Sequence, residues 1–188
     1  LALLAGMLSN LPTFFRAKDA REFIRRPTRD LHGATIGIVG MGGNGRVLAR
    51  VLKPFETTIL ATDWYPENKP TEVDELHPAA ALDEILPRCD IHILAAPLND
   101  FTRGMIDERR LRLLPKEAVI VNMARGPLIV ESDLAKVLKS GHLWGAAIDV
   151  TEEEPLPADS PLWEIPNLII TPHVGGQRKS RIDDMTRL

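Results

Sequence analysis

From Ala34 onward, short apolar runs rich in β-branched residues alternate with stretches of helical period, the pattern of a parallel sheet flanked by helices. Six strands are expected, at TIGIVG, TTILATD, IHILAAP, AVIVNMA, LWGAAIDV and NLIIT. The segment NGRVLARVLKPF places Val47, Leu48, Val51 and Leu52 at spacings of three and four, which predicts a helix that Pro54 stops. AALDEILPRC and MIDERRLRLL predict two more helices, and VESDLAKVLKSG a third that starts near Ser132 and stops at Gly141. The expected architecture is α/β and doubly wound. Before Ala34, LALLAGML predicts a packed helix, too short to span a bilayer and without the basic residues that lead a secretory signal. In FFRAKDAREFIRRPTRD, Lys18 and Arg26 flank Glu22 at helical spacing, which predicts a solvated helix face and linker.

Composition narrows the function classes. With 188 residues, 44 % of them apolar and 26 % charged, the chain can bury one sizeable core. A formal charge of −3 gives no case for nucleic acid or an anionic membrane, which need a basic surface. The single cysteine, Cys89, forms no intrachain disulfide. It stands ahead of an apolar run and is expected to be a small buried core residue, in keeping with a reducing, cytoplasmic compartment.

The stretch VGMGGNG carries Gly40, Gly42 and Gly45 where the first strand ends and a helix begins. That is the one place where such glycines cradle a pyrophosphate. Gly40 makes the tight turn, Gly42 lets the backbone approach the phosphates, and Gly45 lets helix and strand pack closely. The helix N-terminus adds free N–H groups and partial positive charge. Asp63 ends the second strand eighteen residues after Gly45, where an acid binds the adenosine ribose hydroxyls and disfavours a 2′-phosphate. The expectation is a Rossmann-type sheet binding NAD rather than NADP. No lysine followed by Ser or Thr follows the loop, which argues against a nucleoside-triphosphate site.

Further polar residues fall just beyond later strands: Arg125 in VNMARGPL, Asp149 and Glu154 in AAIDVTEEEPLP, His173 in TPHVGG. All are expected to converge on the ligand crevice at the carboxyl ends of the strands. Hydride transfer from a nicotinamide to a carbonyl requires a proton donor to the forming alkoxide, and a substrate carboxylate requires a cation nearby. His173 can give the proton if Glu154 orients its ring, and Arg125 offers the planar fork that suits a carboxylate.

With LHGATIGIVGMGGNGRVLARVLKPF, APLNDFTRGMID, VNMARGPLIVESDL, GAAIDVTEEEPLP and SPLWEIPNLIITPHVGG in order, the chain resembles the D-isomer-specific 2-hydroxyacid dehydrogenase family along almost its whole length. The resemblance implies Arg125, Glu154 and His173 as the catalytic set, NAD as cofactor with no metal, and a small 2-keto or 2-hydroxy acid as substrate. It implies that Asp149 holds the nicotinamide carboxamide and that Pro97 and Thr102 line the cofactor groove. Gly43, Asn44, Ala96, Met123, Ala124, Gly175 and Gly176 are further cofactor contacts by the same resemblance, alongside Arg125 and His173. Homodimerisation through this domain is implied too, with the N-terminal helix and Trp144 either at the contact or in the core.

The family resemblance also divides the chain. Residues 1–30 are expected to be a connecting helix and linker from an N-terminal substrate lobe, 31–175 the NAD-binding Rossmann domain, and 176–188 a C-terminal helix returning toward that lobe. Two positions depart from the family pattern: Asn44 stands for the usual isoleucine, and Thr151 for the phenylalanine of D-V-F. Substrate preference is therefore less transferable than reaction type. The same family contains corepressors that use the fold to sense NAD without catalysis, and this is the alternative reading. An S-adenosylmethionine-dependent methyltransferase shares the glycine turn and the acid, but gives no reason for Arg125, Glu154 and His173.

Overall fold

The computed structural model describes residues 1–177. The strands are β1 (Thr35–Val39), β2 (Thr58–Asp63), β3 (Glu75–Pro78), β4 (Ile91–Leu94), β5 (Val119–Asn122), β6 (Gly145–Ile148) and β7 (Leu168–Ile170). They form one sheet in the order β3-β2-β1-β4-β5-β6-β7, every pair parallel. Apolar cores lie on both faces, so β4, β5 and β6 are buried throughout. Alternation along a strand divides its side chains between the two cores. On β5, Ile120 packs in one with Leu111 and Leu134, while Val119 and Val121 pack in the other with Leu4 and Met7. Strand order reverses between β1 and β4, the place in such a sheet where a ligand crevice is expected outside the carboxyl ends of the strands.

The helices are α1 (Ala2–Leu8), α2 (Leu11–Asp19), α3 (Gly43–Leu52), α4 (Leu82–Ile85), α5 (Glu108–Leu113) and α6 (Glu131–Lys139). On α3, Gly45, Ala49 and Leu52 are buried while Val47 and Val51 are exposed, so only part of the expected apolar spacing faces the sheet. A short 3₁₀ turn over Lys53–Phe55 containing Pro54 ends it. Gly141, at φ +71°, stops α6 as expected. Helix α1 packs on the sheet because β6 begins with glycine: a Cβ at Gly145 would lie within 2.3 Å of Met7 Sδ. Trp144 Nε1 donates to Met7 O at 3.2 Å. Both the N-terminal helix and Trp144 are thus engaged in packing within the chain.

Two expectations need correction, and a third is met by the described residues only at its first two positions. The sheet has a seventh strand, β3, whose ELHP sequence carries no apolar run because it is a half-exposed edge, with Glu75 paired to Arg88 and His77 instead of packed. The helical spacing of Lys18, Glu22 and Arg26 is not used, since α2 ends at Asp19 and Arg21 turns at φ +59° into an irregular segment. The C-terminal helix expected over 176–188 falls outside the described residues from position 178 on, and Gly176 and Gln177 are not helical.

Cys89 is fully buried, its thiol donating to Ile85 O at 3.2 Å, and burial pushes its pKa up to about 12. Beside it, His92 of β4 is 1 % exposed, and neither ring nitrogen has a hydrogen-bond partner among the described residues. Gly37 makes the room: a Cβ there would lie 2.7 Å from His92 Nδ1 and 2.6 Å from Cys89 Sγ. Burial holds the His92 pKa down from 6.5 to about 4, so the folded chain keeps the ring neutral where the unfolded chain takes up a proton. Stability from this group is complete above pH 6.5 and is lost as pH falls toward 4. The expected loss is on the order of 3 kcal/mol, at about 1.4 kcal/mol per pKa unit. Urea unfolding between pH 7 and 4.5 checks it: His92→Leu should flatten the slope, and equal slopes in both proteins would refute the assignment.

Candidate functional site

The loop after β1 is built by sterics. Gly40 has φ +94°, and a Cβ there would come within 2.8 Å of Ala96 N, so the β1 and β4 loops touch through a glycine. A Cβ at Gly45 would fall 2.0 Å from Gly40 O, which is how closely α3 lies against the turn. Gly42 and Gly43 are different, since nothing lies within 4 Å of a Cβ at either. Gly42 is the N-cap of α3, Gly43 and the exposed Asn44 form its first turn, and no side chain caps it. Its leading N–H groups are therefore left for an anion or water.

In front of this loop lies a cleft of about 610 Å³, lined by Gly40, Gly42, Asp63, Ala96, Pro97 and Thr102 among others. Asp63 bridges two turns: Oδ2 accepts the Met41 N–H at 2.5 Å and Oδ1 the Tyr65 N–H at 2.8 Å. Thr102 closes the loop after β4, its hydroxyl donating to Pro97 O at 2.7 Å and accepting the Asn99 N–H at 2.8 Å. Three aromatic residues that sequence reasoning missed, Trp64, Tyr65 and Phe101, also line the cleft. Trp64 and Phe101 are exposed, their ring centroids 5.0 Å apart and planes tilted 41°. The available signal was a pair of large aromatics placed directly after a strand-ending acid and another in a polar loop.

Glu154 and His173 meet beyond β6 and β7, with Nδ1 2.9 Å from Oε2. This bond is the main cause holding the Glu154 carboxyl below its ordinary pKa. A charged carboxylate accepts, so Nδ1 carries the proton and Nε2, with no partner among the described residues, is the free nitrogen. His173 sits at φ +55°, and its N–H donates to Asp149 O at 2.8 Å. Asp149 is buried and holds the histidine loop: Oδ1 accepts from Thr171 Oγ1 at 2.5 Å and Val174 N at 3.0 Å, Oδ2 from Gly175 N at 2.7 Å. Gly175 is needed there, because a Cβ would crowd Asp149 Oδ2 at 2.7 Å. Gly176 follows, exposed, in the same turn.

Arg125 is exposed, with Nη1 on its neighbour's Ala124 O at 2.6 Å. Its turn is shaped by buried Asn122, whose Nδ2 donates to Arg125 O at 2.9 Å and whose Oδ1 accepts the Ala124 N–H at 3.1 Å. Met123 and Ala124 are half-buried against opposite cores. Asn122 and Thr171 are thus positioning residues that the sequence did not single out, because a polar residue inside or just after an apolar strand carries no marker of its partner. Thr151, at the departure from D-V-F, is buried; its hydroxyl donates to Glu153 O at 2.7 Å and its N–H to Glu154 Oε1 at 3.2 Å. The open face at Gly42, the uncapped α3 and the adjoining cleft fit a dinucleotide.

Comparison with known proteins agrees. Residues 1–175 match the family described as D-isomer specific 2-hydroxyacid dehydrogenase, NAD binding domain. A glyoxylate reductase of Pyrococcus horikoshii is 37 % identical over 161 residues, which are 85 % of this chain and 47 % of that protein. The structure of a glyoxylate reductase from Paecilomyes thermophila superposes with a TM-score of 0.84 at 32 % identity, over 99 % of this chain and 56 % of that one. A D-isomer specific 2-hydroxyacid dehydrogenase from Xanthobacter autotrophicus, solved with NADPH and MES, gives a TM-score of 0.85 at 30 % identity, over 100 % of this chain and 79 % of that one. The chain spans about half the length of the curated glyoxylate reductase it matches. Among the described residues, no helix is long and apolar enough to cross a membrane.

Proposed function

The chain belongs to the D-isomer specific 2-hydroxyacid dehydrogenase family as its NAD-binding domain, and from that premise we propose that the protein carrying it interconverts a small 2-keto acid and its D-2-hydroxy acid. The observation that carries this reading is the His173–Glu154 pair, set with Arg125 along the carboxyl ends of β5, β6 and β7. A bound reduced nicotinamide supplies the hydride. His173 gives a proton from Nε2 to the keto oxygen, and Glu154 keeps the ring in the required orientation. Arg125 binds the substrate carboxylate and polarises the carbonyl. Asp149, with three donors on its carboxylate, retains an acceptor position for the nicotinamide carboxamide. Met123 and Ala124 follow β5, Gly175 and Gly176 follow β7, and at that edge of the sheet they would contact the cofactor. A keto-acid panel on the complete protein, including glyoxylate and hydroxypyruvate and read as NADH oxidation, tests this. Tight NADH binding without turnover on any keto acid would favour the NAD-sensing reading instead.

We infer NAD over NADP from Asp63, whose half-buried carboxylate lines the cleft and would repel a 2′-phosphate. Because Asp63 also anchors the glycine loop, Asp63→Ala weakens both cofactors through the loop, and the ratio is the informative quantity. Hydrogen bonds to a charged group are worth about 1.5–3 kcal/mol, so the NADH/NADPH affinity ratio is expected to narrow roughly ten- to hundredfold. An unchanged ratio in calorimetric titrations would refute the role. We place the protein in the cytoplasm, as its one thiol is buried and unreactive. It pairs as a homodimer, for which exposed Phe15 and Phe23 offer apolar surface. Sedimentation as a monomer at micromolar concentration would count against the pairing.

A further inference from the structure

Two loops carry the proposed catalytic groups, and a pair of glutamates outside the chemistry above ties them together. Glu131 opens α6, six residues after Arg125; Glu152 stands two residues before Glu154. Each accepts the other's backbone N–H: Glu131 N donates to Glu152 Oε1 at 2.9 Å, and Glu152 N to Glu131 Oε1 at 2.5 Å. Nearer the sheet the same two loops touch without a gap, since a Cβ at Gly126 would fall 1.8 Å from Thr151 O. Thr151 N then donates to Glu154 Oε1, and Glu154 Oε2 holds His173. A continuous set of contacts thus runs from the Arg125 loop to the histidine.

The pairing is electrostatically unfavourable in itself. Neither glutamate has a cationic partner among the described residues, and burial together with the Glu152 charge holds the Glu131 carboxyl above its ordinary pKa. Capping α6 needs only the Glu152 carboxylate on the Glu131 N–H. The return bond, from Glu152 N to Glu131, does nothing for the helix; it fixes the loop that carries Glu154. A like-charge pair kept for reciprocal N–H bonds makes sense as a spacer between loops.

We propose that Glu131 and Glu152 form a clasp that sets Arg125 against the Glu154–His173 pair, so that both are positioning residues for keto-acid reduction. The proposal rests on the functional reading given above. Misplacement of catalytic groups by about 1 Å can cost on the order of a hundredfold. In the complete protein, Glu131→Ala is expected to lower kcat ten- to hundredfold, with NADH affinity within twofold of the parent. Glu131→Gln keeps an acceptor oxygen for the Glu152 N–H and is expected to restore most of that loss. Hydrogen exchange followed by mass spectrometry reads the clasp without activity: amides of residues 150–154 should exchange faster in Glu131→Ala than in either the parent or Glu131→Gln. Unchanged exchange overturns the clasp. Faster exchange with kcat within twofold of the parent overturns its positioning role, as does a kcat loss matched by an equal loss of NADH affinity. A parent protein that reduces no keto acid overturns the functional reading, and the positioning role with it, whatever the exchange experiment gives.

Discussion

Replacing His173 with alanine in the complete protein is expected to lower turnover in keto-acid reduction by about two to four orders of magnitude, the usual contribution of a positioned general acid. NADH affinity should stay nearly unchanged, because the backbone N–H of residue 173, not its ring, holds Asp149 O. The substitution needs a control. At φ +55° alanine is less well accommodated than asparagine, so His173→Asn should show the same catalytic loss with less disturbance of the loop. Glu154→Gln keeps the size and an acceptor but removes the charge. With its pKa lowered chiefly by the bond to His173, Glu154 is a carboxylate throughout the neutral range. Losing that carboxylate removes the charged acceptor that orients the ring, so Glu154→Gln should lower turnover in reduction roughly tenfold, the scale of a hydrogen bond to a charged group at about 1.5–3 kcal/mol. Near-normal turnover in both position-173 variants and in Glu154→Gln would make the pair a loop brace and leave the domain a nucleotide binder.

What the sequence revealed and what it hid follow from how each signal is encoded. Central strands such as IHIL and AVIV are buried on both faces and so appear as apolar runs; β3 is an edge held by Glu75 to Arg88 and His77, and ELHP shows no run at all. Gly40 and Gly45 were legible because steric demands recur at a fixed spacing, and the structure puts backbone atoms 2.8 and 2.0 Å from where a Cβ would be. The meeting of Glu154 with His173 was inferable only from their shared position at strand ends. Their bond depends on Asp149 and Thr171 pinning the histidine loop, and those partners stand 22 residues apart in the chain. The Glu131–Glu152 contact was illegible for the same reason: two glutamates in an acidic stretch and a helix start look solvated until the fold brings their backbone N–H groups together. Lys18, Glu22 and Arg26 show the converse error, a helical spacing that α2 never reaches.

Gly42→Val is expected to leave the fold intact and to remove much of the NADH affinity. Its neighbour Gly40 makes the useful contrast. At φ +94°, with Ala96 N 2.8 Å from a Cβ, Gly40 is required by the protein itself, and Gly40→Val should lower the melting temperature and binding together. Gly42 has φ −70° and ψ −162°, an extended conformation open to any residue, and nothing within 4 Å of its would-be Cβ. The protein alone gives no reason for glycine there. A branched side chain would instead project beside the uncapped α3 N-terminus, into the space a pyrophosphate needs to reach the backbone N–H groups. Overpacking of this kind costs about 1–3 kcal/mol, which lowers affinity roughly ten- to hundredfold. Circular dichroism melts and calorimetric NADH titrations separate the two effects. A Gly42→Val protein that melts like the parent and binds NADH equally well would mean that the pyrophosphate does not lie on this loop, and the cofactor placement would fall with it.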